Sequence, residues 1–492
     1  MNVRELTLGV LLAGFEGAGP EEVPEWLPSL IGEGLAGVTL FGRNIVPEDT
    51  VARLRGLVSH LRRGAPRLLV AIDEEGGDVT RLDRVAGSAF LGARSLGVID
   101  DVAVTRRSAG LLAARLTDAG INLNFAPVAD VDSEPNSPIV GSRSFSSDPE
   151  CAGRHVAAAV EGHLTLGVAC TAKHFPGHGA TLEDSHLVVP TVTADAGTLR
   201  ARELVPFRAA IAAGVPVIMT GHLRVPAMDP DNPATMSKRI LTGLLRQEMG
   251  FRGVIVTDGL DMHAISRTIG HAEGVVRALL AGADLMCIGG DSVGPEVVDE
   301  IVEAVTVAVG SGRLPVERLA EARDRVRELA DRFQCRNGDH HARATAELMP
   351  AAKASLRLVG DFPIGRPGTV VELHSTPSIV AGEVGWGMGR PLRVADPGLE
   401  VRRVYEGDAV PDLPPSPVVV SVKDCHLFPW QLEFVTALRR SRGDIVVVDH
   451  GGTADDELLG GHGIIAHDSS AVAAMAAAQV LLGGAGQAVP AT

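Results

Sequence analysis

Apolar residues along this chain gather into short unbroken runs instead of alternating with polar ones. Over the first two thirds the runs are Leu8–Phe15, Val38–Phe41, Leu68–Ile72, Ile121–Phe125, Val168–Thr171, Val215–Thr220, Val254–Thr257 and Asp284–Ile288. Polar turns follow them, and between them lie segments with helical spacing: Asp49–Arg63, Val102–Ala119, Pro149–Leu166, Asp195–Ala213 and His271–Ala281. A run of roughly four to eight apolar residues suits a strand covered on both faces, and strands that alternate with helices make a parallel sheet. Eight such runs predict an α/β fold, a (β/α)8 barrel that helices Val297–Gly310 and Pro315–Phe333 complete.

The pattern breaks around Arg336-Asn337-Gly338-Asp339, which predicts a linker. A barrel domain over 1–335 and a second domain over 340–492 are therefore expected. Beyond the linker a helix is expected near Ala342–Val359. The runs Val370–Leu373, Val418–Val422 and Ile445–Val448 then alternate with helical segments Trp430–Ser441 and Ser470–Leu482, the pattern of a smaller α/β domain. The apolar stretch from Leu6 to Phe15 lacks the basic lead of a secretion signal, since Arg4 sits beside Glu5. It reads as the first strand, no other stretch has the length of a membrane span, and a cytoplasmic location is expected.

In a barrel, chemistry belongs where strands end and the following loops begin. Strand three ends Ile72-Asp73-Glu74-Glu75-Gly76-Gly77, with Arg81 soon after, and strand four ends Val128-Ala129-Asp130. The loop after strand four carries Gly141-Ser142-Arg143-Ser144-Phe145. Strand five ends at Lys173-His174, and its loop, Pro176-Gly177-His178-Gly179, runs on to Asp184-Ser185-His186. Strand six ends at Gly221-His222 and strand seven at Thr257-Asp258-Gly259-Leu260-Asp261. A carboxylate two residues from an imidazole orients it and favours its protonated form, as proton transfer requires. Asp258 ends a continuous apolar strand, where a purely structural carboxylate has little reason to stand. Asp261 is the expected helix cap, and Glu74 and Glu75 read as loop structure.

Charge and composition narrow the classes. The net charge of −16 over 492 residues argues against a general nucleic-acid or membrane-surface binder. Only four of the 45 basic residues are lysines, so Lys173 stands out from its background. The five cysteines are widely spaced with no CxxC pair, and neither a zinc-binding spacing nor a phosphate or dinucleotide loop appears, so no metal or cofactor is expected.

A lone carboxylate, a His–Asp pair and a ring of Asp, Arg, Lys and His suit glycoside cleavage. A retaining enzyme needs one carboxylate to attack the anomeric carbon and an acid to protonate the leaving oxygen. On these same stretches, from Ile72–Gly77 through Lys173–Gly179 and Asp184–His186 to Val256–Met262, the chain resembles the NagZ-type β-N-acetylglucosaminidases of glycoside hydrolase family 3. The second domain resembles a shortened form of that family's α/β sandwich domain. The resemblance implies Asp258 as nucleophile, His186 as acid/base and Asp184 as its partner. It also implies that Asp73, Arg81, Arg143, Lys173 and His174 bind a terminal GlcNAc. The chain departs from the family at Asp78, where an arginine is common, and at Ala180, where an acidic residue is usual.

The expected activity is retaining, exo-acting removal of GlcNAc from small peptidoglycan or chitin fragments by a monomer or dimer. With aromatics at only 3%, a one-sugar pocket fits better than a long polysaccharide groove. A histidine acid/base does not repel an incoming anion, so a phosphorylase using phosphate and releasing GlcNAc-1-phosphate is the main alternative. A β-glucosidase and a sugar-binding protein without catalysis are the others.

Overall fold

The computed structural model describes residues 2–183, 188–290, 294–334, 338, 340, 343–362, 364–453 and 456–483. They form two compact units, each drawn from separate stretches of chain. The first comprises residues 1–74, 105–140 and 146–342, and the second residues 75–104, 141–145 and 343–492.

The first unit is a (β/α)8 barrel. Its strands are β1 Leu11–Ala13, β2 Gly37–Leu40, β3 Leu69–Ile72, β4 Leu123–Asn124, β5 Ala169–Phe175, β6 Val217–Thr220, β7 Val254–Thr257 and β8 Met286–Ile288. Neighbours in sequence pair in parallel, β8 returns to β1 with Leu11 opposite Met286, and a bridge between Val256 and Leu285 joins β7 to β8. Closure removes the free edges that an open sheet leaves. Leu12, Leu69, Leu123, Val217, Val254 and Val256 fill the interior. Each fully buried side chain of this size contributes about 1.5–3 kcal/mol.

Helix Val316–Arg332 plugs the amino-terminal end of the barrel. It sends Val326, Leu329 and Ala330, with Phe333 just beyond, into that same core. Asn122, just before β4, donates to the Phe333 carbonyl at 2.8 Å, and Arg318 donates to the Ala283 carbonyl, just before β8, at 2.6 Å.

Three expected elements differ in detail. Leu8 belongs to a short helix, Val3–Leu8, that precedes β1, because a brief apolar run carries no period that separates helix from strand. The segment Asp195–Ala213 is two helices, Ala196–Ala201 and Leu204–Ala212. Pro206 has no N–H to offer the carbonyl four residues back, so the second helix starts afresh with proline in its first turn. The helix expected over Ala342–Val359 is Ala344–Ala354, followed by a strand, Arg357–Val359.

That strand, β9, belongs to the second unit with β10 Thr369–His374, β11 Glu400–Tyr405, β12 Val418–Val422, β13 Ile445–Asp449 and β14 Gly463–Ile465. The strand order is β11-β10-β12-β13-β14-β9, parallel except for β9 against β14. Val371, Val420 and Val447 face helix Trp430–Ser441, while Val370, Val419 and Val446 face helix Ala471–Leu482. Burial of both faces explains the valine runs. Among the described residues no helix is long and apolar enough to cross a membrane.

Candidate active site

Strand β5 runs through Lys173 and His174 to Phe175, so two polar side chains stand inside the barrel wall rather than in the loop beyond it. Lys173 is 1% exposed, and its Nζ donates to Asp73 Oδ1 at 2.6 Å. Asp73 directly follows β3 and keeps 19% of its side chain exposed. The backbone behind Asp73 is clamped. Asn124 on β4 accepts from the Glu74 N–H at 3.0 Å and donates to the Glu74 carbonyl at 2.8 Å. The same amide nitrogen lies 3.1 Å from His163 Nε2, and His163 Nδ1 donates to the Ala159 carbonyl at 2.9 Å. Burial holds the His163 pKa below the ordinary histidine value, which keeps the ring neutral and able to accept.

Asp258 follows β7. Its N–H donates to the Thr220 carbonyl at 3.0 Å, and its Oδ1 accepts from the Gly259 N–H at 2.8 Å. His222, after β6, is fully buried and donates from Nε2 to the Gly259 carbonyl at 2.9 Å, which fixes the peptide beside Asp258. Asp261 is not a helix cap. Met262 occupies the N-cap of helix His263–Ser266, and Asp261 Oδ1 accepts from the Gly289 N–H at 3.1 Å, stapling this loop to the end of β8. Burial first, and then the negative charges of Asp261, Asp258 and Asp73, push the Cys287 thiol of β8 well above the ordinary thiol range. Asp73 and Asp258 thus share one electrostatic neighbourhood at the carboxyl end of the barrel.

The loop after β5 is pinned from below. Asp130, 1% exposed, accepts from His174 Nδ1 at 2.7 Å, from the His174 N–H at 3.2 Å and from the His178 N–H at 2.7 Å. Burial raises the Asp130 pKa, but the positive charge that His174 carries once protonated and its hydrogen bond, with those of His178, outweigh it and leave the carboxyl below its usual range. At Gly179 a Cβ would come within 1.6 Å of the Val131 carbonyl oxygen, so glycine alone lets the loop lie this close. Asp184 and His186 lie outside the described residues.

Arg81 and Arg143 belong to the second unit. Arg81 donates to the carbonyls of Val380 at 2.8 Å and Ala381 at 3.2 Å. Arg143 forms a two-pronged, nearly buried ion pair with Glu75, at 2.9 Å from Nε and 2.8 Å from Nη2. Such bidentate geometry orients both groups and directs one side of the guanidinium to Glu75. Asp78 is largely covered, lies against Lys423 at 3.3 Å and accepts from Ser142 at 2.5 Å and from the Ser469 hydroxyl. Those contacts tie residues 75–104 and 141–145 to the carboxyl end of the second sheet. Reasoning from sequence passed over Asn124 and His163. For Asn124 the usable signal was a polar residue inside an apolar strand, since a buried amide needs a partner, whereas His163 sits on helix Pro149–Thr165 and carried no such mark.

A carboxylate at one strand end, a lysine–carboxylate pair at another and an imidazole between them can hold a polyhydroxyl ligand and offer it a nucleophile. Similarity runs along the same residues. The model of the glycosyl hydrolase family 3 N-terminal domain matches residues 18–329. The β-hexosaminidase A of Pseudoalteromonas piscicida is 32% identical over 375 residues, which cover 69% of this chain and 62% of that protein. The β-hexosaminidase of Stenotrophomonas maltophilia (strain K279a) is 37% identical over 308 residues, 61% of this chain and 86% of that one. The solved glycoside hydrolase family 3 β-N-acetylglucosaminidase from Paenibacillus sp. str. FPU-7 superposes with a TM-score of 0.85 at 30% identity, covering 98% of this chain and 97% of that one. Fold, site and relatives define a glycoside hydrolase. The chain belongs to glycoside hydrolase family 3.

Proposed function

We propose that this enzyme is a retaining exo-β-N-acetylglucosaminidase that removes terminal non-reducing GlcNAc from small peptidoglycan or chitin fragments in the cytoplasm. Asp258 is the nucleophile. Its carboxylate attacks the anomeric carbon while His186, oriented by Asp184, protonates the departing glycosidic oxygen. Water then attacks the glycosyl-enzyme, His186 takes the water's proton, and the sugar leaves with its original anomeric configuration. Asp73, Lys173 and His174 bind the sugar hydroxyls, and Arg81 and Arg143 are assigned to the same sugar.

The observation that carries this reading is the half-buried Asp258 at the end of β7, sharing its surroundings with the Asp73–Lys173 pair. The names of the relatives, β-hexosaminidases and a β-N-acetylglucosaminidase, support the choice of sugar. The test is release of p-nitrophenol from the β-GlcNAc and β-glucoside substrates, in HEPES and in phosphate, with the sugar product identified. Free GlcNAc in both buffers is expected. GlcNAc-1-phosphate in the phosphate buffer makes the enzyme a phosphorylase instead, and turnover of the glucoside alone overturns the sugar assignment.

A further inference from the structure

Asp130 has no role in the reaction proposed above, yet it is among the most heavily engaged carboxylates near that site. Residues 126–129 continue alongside β5 after β4 itself has ended. The Thr171 N–H donates to the Ala126 carbonyl at 2.8 Å, the Lys173 N–H to the Pro127 carbonyl at 3.2 Å and the Ala129 N–H to the Lys173 carbonyl at 2.6 Å. This extension delivers Asp130 beside His174, and the carboxylate is spent on two backbone N–H groups and one ring nitrogen. A carboxylate only accepts, so His174 Nδ1 carries a proton. In the neutral ring that proton leaves Nε2 as an acceptor. The second backbone contact, from His178, is the first anchor of the loop that leads in sequence to Asp184 and His186. Two further bonds hold that loop. The Glu134 N–H donates to the Gly179 carbonyl at 3.1 Å, and Thr181 Oγ1 donates to the His178 carbonyl at 2.9 Å.

We infer that Asp130 is a positioning residue that sets His174 in the Nδ1–H form, so that Nε2 accepts a hydrogen bond from a sugar hydroxyl. The inference rests on the proposed sugar-binding role of His174, but its first half concerns a proton location that can be read without substrate.

The experiment uses the full chain with its histidine rings labelled with 15N, and His174→Gln to assign the His174 signal. The wild-type ring is expected to show a protonated Nδ1 and an unprotonated Nε2 near pH 8. A protonated Nε2 with a bare Nδ1 overturns the inference. In Asp130→Asn the amide oxygen can still accept from the His178 N–H, which turns the amide N–H toward His174 Nδ1 and drives the ring to the opposite tautomer. That variant should lose about 10- to 100-fold in kcat/KM for the β-GlcNAc substrate, mostly through KM, the scale on which losing an orienting partner weakens a metal-bound histidine. One of the 3-, 4- and 6-deoxy GlcNAc substrates should then be turned over equally by wild type and variant. A flipped tautomer with unchanged kinetics on every substrate overturns the coupling to the sugar. If no GlcNAc substrate is turned over, the proposed function fails while the ring measurement still decides the proton location.

Discussion

The two ends of the barrel each pair a carboxylate with positive charge, and they do so in opposite ways. At the amino-terminal end Asp284 is completely buried, with Arg318 at 2.8 Å, Arg325 at 3.2 Å, Arg246 in contact and the Ile255 N–H at 3.0 Å. Burial pulls the Arg246 guanidinium down to about 10, against the attraction of Asp284. At the carboxyl end Asp73 holds Lys173, its one hydrogen-bond partner among the described residues, and remains partly open. Saturation makes Asp284 a structural lock, because every lone pair already has a partner. An ion pair with spare acceptor capacity and some exposure is ready for a ligand. The same elementary interaction thus serves stability at one end and chemistry at the other, and what separates them is coordination left unfilled.

The largest expected effect is at the open end. Asp258→Asn should lower kcat by at least about 10³-fold, on the scale of losing a catalytic group, with Tm within about 2 °C of wild type in a thermal scan. A large Tm loss would erase the contrast. Asp284→Asn should do the reverse. Removing the charge leaves three arginines facing one another in a buried site, at roughly 3–5 kcal/mol, or about 5 °C in Tm for a unit of this size. Its kcat/KM per folded molecule should stay within about twofold, and a loss on the scale of Asp258→Asn would break the division of labour.

Lys173→Met sharpens the comparison because it leaves Asp73 without its cation. A drop of about 100-fold in kcat/KM is expected, in line with 2–5 kcal/mol for truncating one partner of a buried pair. The accompanying Tm loss should be smaller than at Asp284, since Asp73 can still reach water.

The smallest effect is graded with pH. His163 is neutral in the fold with a lowered pKa, so below about pH 6.5 the unfolded chain takes up the proton first and barrel stability falls as pH drops. Protonation of the folded ring follows only at lower pH than that of the unfolded chain, and there it ends the capacity to accept from Asn124 and weakens the Glu74 clamp. Thermal scans from pH 7.5 to 5 should show Tm declining, and the slope should shrink in His163→Gln. Equal slopes in the two proteins would remove His163 from the account.

Most of the barrel was legible in the chain because its strands are covered on both faces, and that burial writes unbroken apolar runs. The edge strand β11, Glu-Val-Arg-Arg-Val-Tyr, was not legible, since only Val404 is buried and charges interrupt the pattern. The three-residue β14 is too short to carry a period. At the site, Asp73, Lys173, His174 and Asp258 stood out because a polar residue at the end of an apolar strand has no packing reason to be there. Asp130 drew notice only as a strand end, and its use by His174 and His178 depends on a backbone path that no spacing encodes. Arg143 read as a sugar ligand, and its tight pairing with Glu75 emerged only when the two loops were folded.

The sequence by itself determined the parallel sheet and the polar residues that end its strands, because burial and turn chemistry act on neighbours along the chain. Only the tertiary structure decided which charges meet. Lys173 lies 100 residues from Asp73 and His174 lies 44 from Asp130, yet each pair sits within hydrogen-bond distance. Residues 75–104 and 141–145, flanked in sequence by barrel segments, belong to the second unit because Asp78, Ser142, Lys423 and Ser469 satisfy one another there. Electrostatic and hydrogen-bond energies fall off over a few ångströms of space, and separation along the chain does not enter them.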